Sequence, residues 1–369
     1  MKVGILTITI GTNYGNRLQN YASQTVLESL GCEVETVRNI TNQKPPALKI
    51  GVKGKIKHKI LFPLYMKTNL IKSSDVNGQI RIANFKKFNK EYIHETSELI
   101  SKDNIPEGFV DKFDYFICGS DQVWNPNFYF NSEMDFLTFA KSGQRIAYAP
   151  SFGISEIPED FVENYKKWIN GMDYLSCREE AGAQIIKNLT GREATVLVDP
   201  TLMLTKEQWL NMSNTPKWIR NKKYVLTYFL GDKTKEIEER VNKIAKEKNL
   251  EVINLLDKNN KYIYSAGPRE FVSLINEAEC MCTDSFHGVV FSLIMKTPFI
   301  VFERKGPKMS MNSRMDTLLS LFKMEHRKDS IIKDNKEVFN MDFSYVDKIL
   351  NVERDKAINY LKDALKLNN

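Results

Sequence analysis

Residues 2–37, KVGILTITIGTNYGNRLQNYASQTVLESLGCEVETV, contain the pattern that decides the fold. The run of β-branched and apolar residues at 2–10 predicts a first strand, which the glycine-containing GTNYG ends. NRLQNYASQTVLESLG then places apolar residues at helical spacing as far as Gly31, and CEVETV predicts a second strand. A strand–helix–strand start of this kind predicts a mostly parallel sheet with helices packed on it.

The same alternation continues along the chain and divides it into two halves. We therefore predict an α/β fold of two doubly wound, Rossmann-like domains that face a central cleft. The expected units are residues 1–200 with a basic insertion at 40–110, residues 201–345, and a closing C-terminal helix at 346–369. Apolar strands followed by polar or glycine-containing loops are expected within 113–125, 145–153 and 172–189, and 195–204 marks the crossing into the second unit. Further strands are expected within 223–232, 250–256, 279–283 and 298–303.

Length and composition exclude several classes of protein. A chain of 369 residues favours two domains, and the absence of any run of eighteen apolar residues argues against a transmembrane helix. The start reads as a strand and lacks the cleavage site of a signal peptide. Five cysteines, an odd number, indicate reduced thiols and a cytoplasmic protein. Cys280 and Cys282 have no second pair nearby, so we expect no metal site.

Positive charge is concentrated in one segment. Residues 44–90 contain twelve Lys and Arg and one acid, although the whole chain has a net charge of only +7. Because the rest of the chain is slightly acidic, nucleic acid is not an expected partner. Lysines alternate with apolar residues at 48–72 and could rest on the anionic inner leaflet of the membrane or face a lipid-linked diphosphate. A solvated surface segment is the alternative interpretation.

The distinctive loops of the sequence all follow predicted strands. They are GTNYGN, GSDQVWN, APSFG, SCRE and TDSFHG. In open α/β sheets, ligands bind beyond the carboxyl ends of the strands. We therefore expect these five segments to line one cleft between the two halves.

The first loop combines glycines with a helix start. Gly11 and Gly15 permit close approach of a backbone, and the helix that begins near Asn16 offers unpaired N–H groups to an anion. Arg17 lies in the first turn, where it could meet the same anion. A plain tight turn is the alternative, and the spacing is not that of a dinucleotide or P-loop motif.

The second loop, GSDQVWNP, suits sugar recognition. Hydroxyl groups need hydrogen-bond donors and acceptors, and an aromatic ring can pack on the C–H face of a sugar. Asp121 could also act as a base toward a hydroxyl group. The alternative is an Asp-capped turn with Trp124 in the core. The residues expected to bind this sugar, the acceptor of a transferred group, are Asn13, Tyr14, Ser120, Gln122, Trp124 and Asn125.

Two further loops supply an arginine and a histidine. Arg178 lies where a strand gives way to a helix and could bind a carboxylate or phosphate through two parallel hydrogen bonds, or it could be paired with the neighbouring glutamates at the surface. His287 lies near the N-terminus of the helix FHGVVFSLIM, with Ser285 among its candidate caps. The helix dipole favours a neutral imidazole that can accept a proton, which suits a general base. Arg304, Lys305 and Lys308 add cations after the next strand.

The motifs NYGNRLQNYA, GSDQVWNP, APSFG, SCREEAG with VDPTLML, and TDSFHG with SLIMKTPFI occur in this order over about 300 residues. This set closely resembles the polysaccharide pyruvyl transferase family. The resemblance implies a GT-B-like fold and transfer of pyruvate from phosphoenolpyruvate to a sugar, often as a ketal bridging two hydroxyls. It also implies an acceptor that is usually a lipid-linked precursor of a capsule, exopolysaccharide or cell-wall polymer.

The resemblance also implies roles for particular residues. The family's histidine falls on His287, its donor-binding arginine on Arg178, and its lysine on Lys305 or Lys308. The first domain is then expected to bind the acceptor and the second to contribute to donor binding, with Asn16, Arg17 and Ser285 also near the donor. Phosphoenolpyruvate is a co-substrate, and this chemistry needs no cofactor or metal.

Two other functions compete with this interpretation. A GT-B glycosyltransferase would use a nucleotide sugar and would need an acidic residue for the ribose, for which Glu303 is a weak candidate. A protein that has lost catalysis would only bind glycans or act as a scaffold in polysaccharide assembly. The presence of His287 and Arg178 together argues against the second alternative.

Overall fold

The structure is a computed structural model that describes residues 1–41, 76–128, 131–304 and 312–367. The segment at 48–72, Lys305 and Lys308 lie outside the described residues.

The first half is built on a five-stranded parallel sheet with the strand order β3-β2-β1-β4-β5. The apolar strand β1 lies at the centre, where Val3 is in register with Val34 on one side and Tyr115 on the other. A parallel pair, β6-β7, continues beyond β5 through the bridge between Ile146 and Tyr174. The strands are β1 (Lys2–Leu6), β2 (Glu33–Asn39), β3 (Glu95–Ile100), β4 (Tyr115–Cys118), β5 (Arg145–Ala147), β6 (Ser176–Cys177) and β7 (Thr195–Val196).

The second half is built on a four-stranded parallel sheet with the order β11-β10-β8-β9. The three strands β8, β10 and β11 are buried on both faces, as expected for parallel strands covered by helices, whereas the edge strand β9 is partly exposed. The strands are β8 (Tyr224–Tyr228), β9 (Glu251–Asn254), β10 (Cys280–Thr283) and β11 (Phe299–Val301). Two parallel α/β units are therefore present, which confirms the predicted fold class.

Capping side chains mark the starts of α1 and α9. Asn13 caps α1 by accepting a hydrogen bond from the Asn16 N–H at 3.3 Å, and Gly31 turns the chain with a φ of +84°. Ser285 caps α9 through the Gly288 N–H at 3.4 Å. The helices are α1 (Tyr14–Ser29), α2 (Val76–Tyr92), α3 (Val162–Asn170), α4 (Glu180–Thr190), α5 (Lys206–Met212), α6 (Lys235–Glu247), α7 (Lys261–Tyr264), α8 (Pro268–Asn276), α9 (Phe286–Met295), α10 (Asn312–Leu321) and α11 (Val346–Ala364).

One continuous apolar core joins the two halves, because buried side chains of α1 and α2 pack against those of β8 and α8. The Tyr14 ring stacks on Phe271 with a centroid distance of 4.4 Å, and its hydroxyl donates to the Ala266 carbonyl at 2.9 Å. Arg81 of α2 donates to the Tyr14 hydroxyl at 2.7 Å and to the Tyr264 carbonyl at 2.9 Å. These contacts fix the start of α1 against the second half.

The C-terminal helix α11 returns to the first half. The Tyr360 hydroxyl donates to the Ala147 carbonyl at 2.7 Å, and Arg354 donates to the carbonyls of Leu202 and Leu204, just past the predicted boundary at residue 200, at 2.8 and 2.9 Å. The predicted domain boundaries at residues 200 and 345 stay predictions. No helix among the described residues is both long and apolar enough to span a bilayer. All five cysteines are buried and unpaired.

Candidate active site

A cavity of about 360 Å³ lies between the two halves, at the carboxyl ends of β1, β4, β8, β10 and β11. Loops that are distant in the sequence converge here, as the strand-end rule predicts. The first half contributes Asn13, Asn16, Asp121 and Gln122, and the second contributes Ser285, His287, Arg304 and Arg314.

Two helix N-termini meet at this cavity. Asn13 caps α1 and Ser285 caps α9, and the first turns of both helices lie at the cavity wall. A Cβ atom added at Gly15 would lie 2.0 Å from His287 Nδ1, so the absence of a side chain at position 15 allows the imidazole to pack there. The positive ends of both helices favour an anion in the cavity.

His287 is buried, with 6% of its surface exposed. Its Nε2 atom lies 3.5 Å from Asp199 Oδ2, which is an ion-pair distance, and it has no hydrogen-bond partner among the described residues. The imidazole lies edge-on to Phe286, with ring centroids 5.3 Å apart. His287 therefore faces both a carboxylate and the cavity, the setting that a proton-transfer group requires.

Asp199 is fully enclosed and accepts hydrogen bonds at both carboxylate oxygens. Thr201 donates to Oδ1 from its backbone N–H at 3.0 Å and from its hydroxyl at 2.7 Å. Ser120 Oγ donates to Oδ2 at 3.1 Å, and Arg178 Nη1 contacts the same oxygen. Burial alone raises the pKa of Asp199, but His287, Arg178 and Thr201 outweigh it and hold the pKa well below its usual value.

Arg178, the predicted donor-binding arginine, is almost completely buried. Its Nη2 atom lies 3.6 Å from Asp121 Oδ1, and its guanidinium lies over the Phe286 ring at 4.3 Å. Burial lowers the pKa of Arg178, but the neighbouring carboxylates, above all Asp199, outweigh it and raise the pKa. Arg178 lines a separate cavity of about 300 Å³ and is not among the described residues that line the central one. Its contact with the donor stays a prediction.

Asp121 and Arg314 face each other at the cavity wall, with Arg314 Nη1 3.9 Å from Asp121 Oδ1. Asp121 has a left-handed φ of +69°, a strained conformation of the kind that accumulates at functional sites. The Gln122 side-chain amide, with its oxygen turned toward Arg314, lies 3.1 Å from the guanidinium. Burial, and secondarily the charge of Arg178, lowers the pKa of Arg314 to about 10, so it stays cationic at neutral pH.

Arg304 is the second arginine at the wall. Its Nε atom lies 3.3 Å from Asp284 Oδ2, and its Nη2 donates to the Asp284 carbonyl at 3.1 Å. Asp284 also accepts from the backbone N–H groups of Leu230 and Gly231 at 2.7 and 2.8 Å. This carboxylate therefore ties together the loops that follow β8, β10 and β11.

The structure corrects two predicted acceptor contacts. Trp124 is fully buried, stacks on Phe136 at 4.9 Å and donates from Nε1 to the Asp135 carbonyl at 2.9 Å, so its ring is not available to a sugar. Tyr14 is equally buried and joins the two halves. Both rings are more stable in the core, where their polar atoms find carbonyl acceptors.

Other predicted residues hold the loops and side chains of the site in place through hydrogen bonds. Arg17 donates to the carbonyls of Thr9 and, at 3.0 Å, Gly11, so it fixes the first loop instead of facing an anion. Ser120 holds Asp199, and Asn125 lies 2.7 Å from the Gln122 amide.

The APSFG loop also supports the site. The Ser151 N–H donates to the Asp121 carbonyl at 2.8 Å, while the Ser151 hydroxyl and the Phe152 N–H donate to Glu179 Oε1 at 3.0 and 2.8 Å. The loop therefore holds Asp121 in place and is not among the described residues that line the central cavity.

Sequence reasoning missed Asp199 and Arg314. Asp199 directly follows the predicted strand in TVLVDP, a position that should have marked it as a strand-end residue. Arg314 lies in the first turns of α10 and carries no comparable signal, because its approach to Asp121 depends on how the two halves pack.

The model of the polysaccharide pyruvyl transferase family matches residues 13–306 of the chain. The match covers most of the chain and includes loops that follow strands in both halves. The protein therefore belongs to this family, as the resemblance in the sequence predicted. No curated protein sequence matches the chain.

Several solved structures are similar to the chain in fold. UDP-GlcNAc 2-epimerase from Neisseria meningitidis has 9% identity, coverage of 100% of both chains and a TM-score of 0.46. The Methanocaldococcus jannaschii enzyme of the same name has 16% identity, coverage of 100% of both chains and a TM-score of 0.47. A glycosyltransferase from Rickettsia africae has 10% identity, coverage of 100% of this chain and 99% of its own, and a TM-score of 0.48. Similarity at this level does not extend to activity.

Proposed function

We propose that this protein transfers pyruvate from phosphoenolpyruvate to two hydroxyls of a sugar in a cell-surface polysaccharide precursor, forming a ketal and releasing phosphate. The observation that carries the proposal is the convergence of a buried histidine, two arginines and two helix N-termini on one cavity, in a member of the polysaccharide pyruvyl transferase family. Neither half of the chain contains this set alone.

The cavity suits a small, doubly anionic donor. Phosphoenolpyruvate carries a carboxylate and a phosphate, which need cations and N–H donors. Arg304 and Arg314 supply the cations, and the first turns of α1 and α9 supply N–H groups and positive dipole ends. A volume of about 360 Å³ leaves room for part of a sugar beside a three-carbon donor.

The reaction requires proton transfer in both directions. C3 of the enol ester gains a proton, a sugar hydroxyl attacks C2 and loses its proton, and phosphate leaves by cleavage of its bond to C2. A second hydroxyl then attacks C2 and closes the ring. Of the two hydroxyl protons, one balances the proton gained by C3 and the other leaves with phosphate. We assign the delivery and recovery of these protons to His287, and the stabilisation of the changing negative charge to the fixed arginines.

The acceptor is proposed to bind at the wall of the cavity that the first half of the chain supplies. Asn13 and Gln122 offer amide groups to sugar hydroxyls, and Asp121 is the candidate base for one of these hydroxyls. We propose that the acceptor is lipid-linked and that the protein acts in the cytoplasm, at the inner face of the cytoplasmic membrane. The family membership and the basic sequence at 48–72 support this part of the proposal.

Mass spectrometry of the acceptor tests the reaction class. Candidate lipid-linked and lipid-free sugars are incubated with the full-length protein and phosphoenolpyruvate, and phosphate is measured in parallel. The expected product is the acceptor plus one pyruvate less one water, with one phosphate released per product. Incubation without phosphoenolpyruvate is the control. Mass gain of a hexose from a nucleotide sugar, with none from phosphoenolpyruvate, would contradict the proposal.

A nucleotide-sugar transferase is the second candidate function, favoured by one observation. A cavity of about 410 Å³ lies at the carboxyl end of the second sheet and is lined by charged side chains that include Glu236, Glu303, Arg304 and Lys328. Thermal stabilisation of the protein by a nucleoside diphosphate, with none by phosphoenolpyruvate, would favour this alternative.

A further inference from the structure

We propose that an exposed patch at the start of α2 docks the protein on a bilayer that contains anionic lipid, beside the central cavity. The docking patch consists of Val76, Ile80, Lys258, Lys261 and Tyr262, all of which the structure describes. The inference rests on the proposed function only for the purpose of docking, which is to bring a lipid-linked acceptor to the cavity. Docking itself is measured without any turnover.

Exposed apolar side chains cluster in the docking patch. Val76 is 65% exposed, Ile80 40% and Tyr262 58%. Among the described residues, these are three of the eight large hydrophobic side chains that are exposed. Single exposed apolar side chains are common on a protein surface, whereas a group of them marks a surface that contacts a partner. The docking patch is therefore a candidate contact surface.

α2 packs against the segment that contains α7, which brings the two parts of the docking patch together. Asn77 Nδ2 donates to the Lys258 carbonyl at 2.9 Å, and Arg81 Nη1, one turn further along α2, donates to the Tyr264 carbonyl at 2.9 Å. The two apolar side chains that α2 contributes are four residues apart, so they lie on one face of the helix. The exposed side chains of both segments therefore share one region of the surface.

The docking patch adjoins the central cavity. β9 pairs with β8 in parallel, so the loop after β9 lies at the same edge of the second sheet as the loops of the cavity. Leu230, shortly after β8, lines the cavity and is 42% exposed. Arg81 of α2 donates to the Thr12 carbonyl at 3.1 Å, and the residues on both sides of Thr12 line the cavity. A bilayer on the docking patch would lie next to the cavity, within reach of a lipid-linked sugar.

The charge at the docking patch favours an anionic bilayer as its partner. Lys258 and Lys261 are exposed, and Lys261 Nζ lies 4.8 Å from the centroid of the Tyr262 ring. The sequence from 42 to 75, which joins α2 at the docking patch, contains eight lysines and one acid. Lysines beside exposed apolar and tyrosine side chains are typical of surfaces that lie at a membrane interface. A second copy of the chain, paired patch to patch, would place lysines against lysines.

Cosedimentation of the full chain with vesicles tests the role of charge. The parent should bind vesicles of phosphatidylcholine with phosphatidylglycerol and should not bind phosphatidylcholine alone. In Lys258→Glu with Lys261→Glu, binding should fall by roughly 25-fold or more, because each lysine near an anionic surface is worth about fivefold. Lys243→Glu with Lys246→Glu is the matched control and should stay within about threefold of the parent. These two exposed lysines lie near the end of α6, just before β9 begins, and so at the opposite edge of the second sheet.

A second pair of variants tests the apolar part of the docking patch. In Val76→Ser with Ile80→Ser, binding to the anionic vesicles should fall by roughly tenfold, because less apolar surface leaves water at the interface. Ile331→Ser with Val352→Ser, which changes side chains that are 51% and 61% exposed outside the docking patch, is the control and should bind like the parent. Since all four side chains are exposed, the midpoint of thermal unfolding should match the parent in both variants.

A rate measurement links docking to the acceptor. Both patch variants should transfer pyruvate to a lipid-free sugar at the parental rate, and to the same sugar on a lipid carrier in anionic vesicles at a rate reduced by roughly tenfold. Equal rates on both acceptors in variants that no longer bind vesicles would overturn the delivery role. Absence of transfer by every protein, the parent included, would contradict the proposed function, while the vesicle measurements would still decide the docking patch.

Three results would overturn the docking patch. The first is parental vesicle binding by both patch variants, and the second is equal binding of the parent to vesicles with and without anionic lipid. The third is unchanged vesicle binding together with a change in another property of the patch variants. A changed sedimentation coefficient would assign the docking patch to a second copy of the chain, and a lower midpoint of thermal unfolding would assign it to packing within the chain.

Discussion

At the scale of single residues, the site depends on one close approach between a glycine and a histidine. Gly15 and His287 lie on opposite halves of the chain, and the space for the imidazole exists because position 15 has no side chain. Family resemblance implies a catalytic role for His287 but says nothing about the helix that it packs against. For this contact to form, the N-termini of α1 and α9 must lie next to each other.

We predict that Gly15→Ala folds but loses most of its activity. The added methyl group would lie 2.0 Å from His287 Nδ1, so the ring must move, and a displacement of about 1 Å costs roughly 10²-fold in rate. Steady-state kinetics with circular dichroism checks this. Gly182→Ala, in α4, is the helical control: its Cβ would meet Phe152 at 3.1 Å, which requires a shift of only a few tenths of an ångström, so its loss of activity should be much smaller. Parental kcat in Gly15→Ala would contradict the close contact.

Arg314 gives a second prediction, based on charge. Arg314→Gln should weaken phosphoenolpyruvate binding by roughly tenfold or more, because a charge-assisted hydrogen bond is worth about 1.5–3 kcal/mol. The pKa of about 10 means that the cation persists through neutral pH and is lost above it, so affinity in the parent should be constant from pH 7 to about 9 and then fall. Calorimetry measures both effects. A parental Kd in Arg314→Gln would remove Arg314 from the donor site.

At the scale of the elements, the sequence indicated which loops lie at the site but did not indicate which of their side chains face the cavity. Strand-end placement predicted the loops with Asp121, Ser285 and His287 because β-branched runs followed by glycine mark the carboxyl ends of strands. Trp124 and Tyr14 were predicted to contact the acceptor sugar. An aromatic ring in a polar loop can pack either on a sugar or in the protein core, and the two environments are equally good. Which one it takes depends on tertiary packing, and here both rings have carbonyl acceptors in the core.

The roles of Arg17 and Arg178 could not be read from the sequence for a related reason. An arginine beside a helix start can bind a ligand anion, a carboxylate or backbone carbonyls, and the sequence does not show which partner comes within reach. In the structure, Arg17 donates to two backbone carbonyls. Arg178 contacts Asp199, which lies 21 residues further along the chain, after another strand. Arg314 depends on a contact between halves, which no local pattern encodes.

The basic segment gives a prediction at the element scale. Removal of residues 49–72 should reduce binding to vesicles that contain anionic lipid, because each lysine near such a surface contributes about 1 kcal/mol. Cosedimentation at low and high salt measures this, and the parent should lose binding at high salt. Neutral vesicles are the control. Equal binding by the parent and the deletion variant would contradict the proposed membrane contact and would leave the proposed chemistry unaffected.

At the scale of the whole molecule, contacts between the halves position the site. The stacking of Tyr14 on Phe271, the hydrogen bond from Arg81 to the Tyr264 carbonyl and the hydrogen bond from Tyr360 of α11 to the Ala147 carbonyl all join sequence-distant segments. They hold the start of α1 opposite the start of α9, so the donor is expected to meet groups from both halves at once. A ligand-binding residue in either half therefore depends on the packing of the other.

The measurement that tests the central claim most directly compares the parent with His287→Ala in the presence of phosphoenolpyruvate and an accepted sugar. Both ketal formation by mass spectrometry and phosphoenolpyruvate binding by calorimetry are recorded on the same samples. We predict that the variant binds phosphoenolpyruvate within a few-fold of the parent but forms ketal at least roughly 10²-fold more slowly, because proton transfer at C3 is lost. Ketal formation by the variant at the parental rate would contradict the placement of the chemistry at His287.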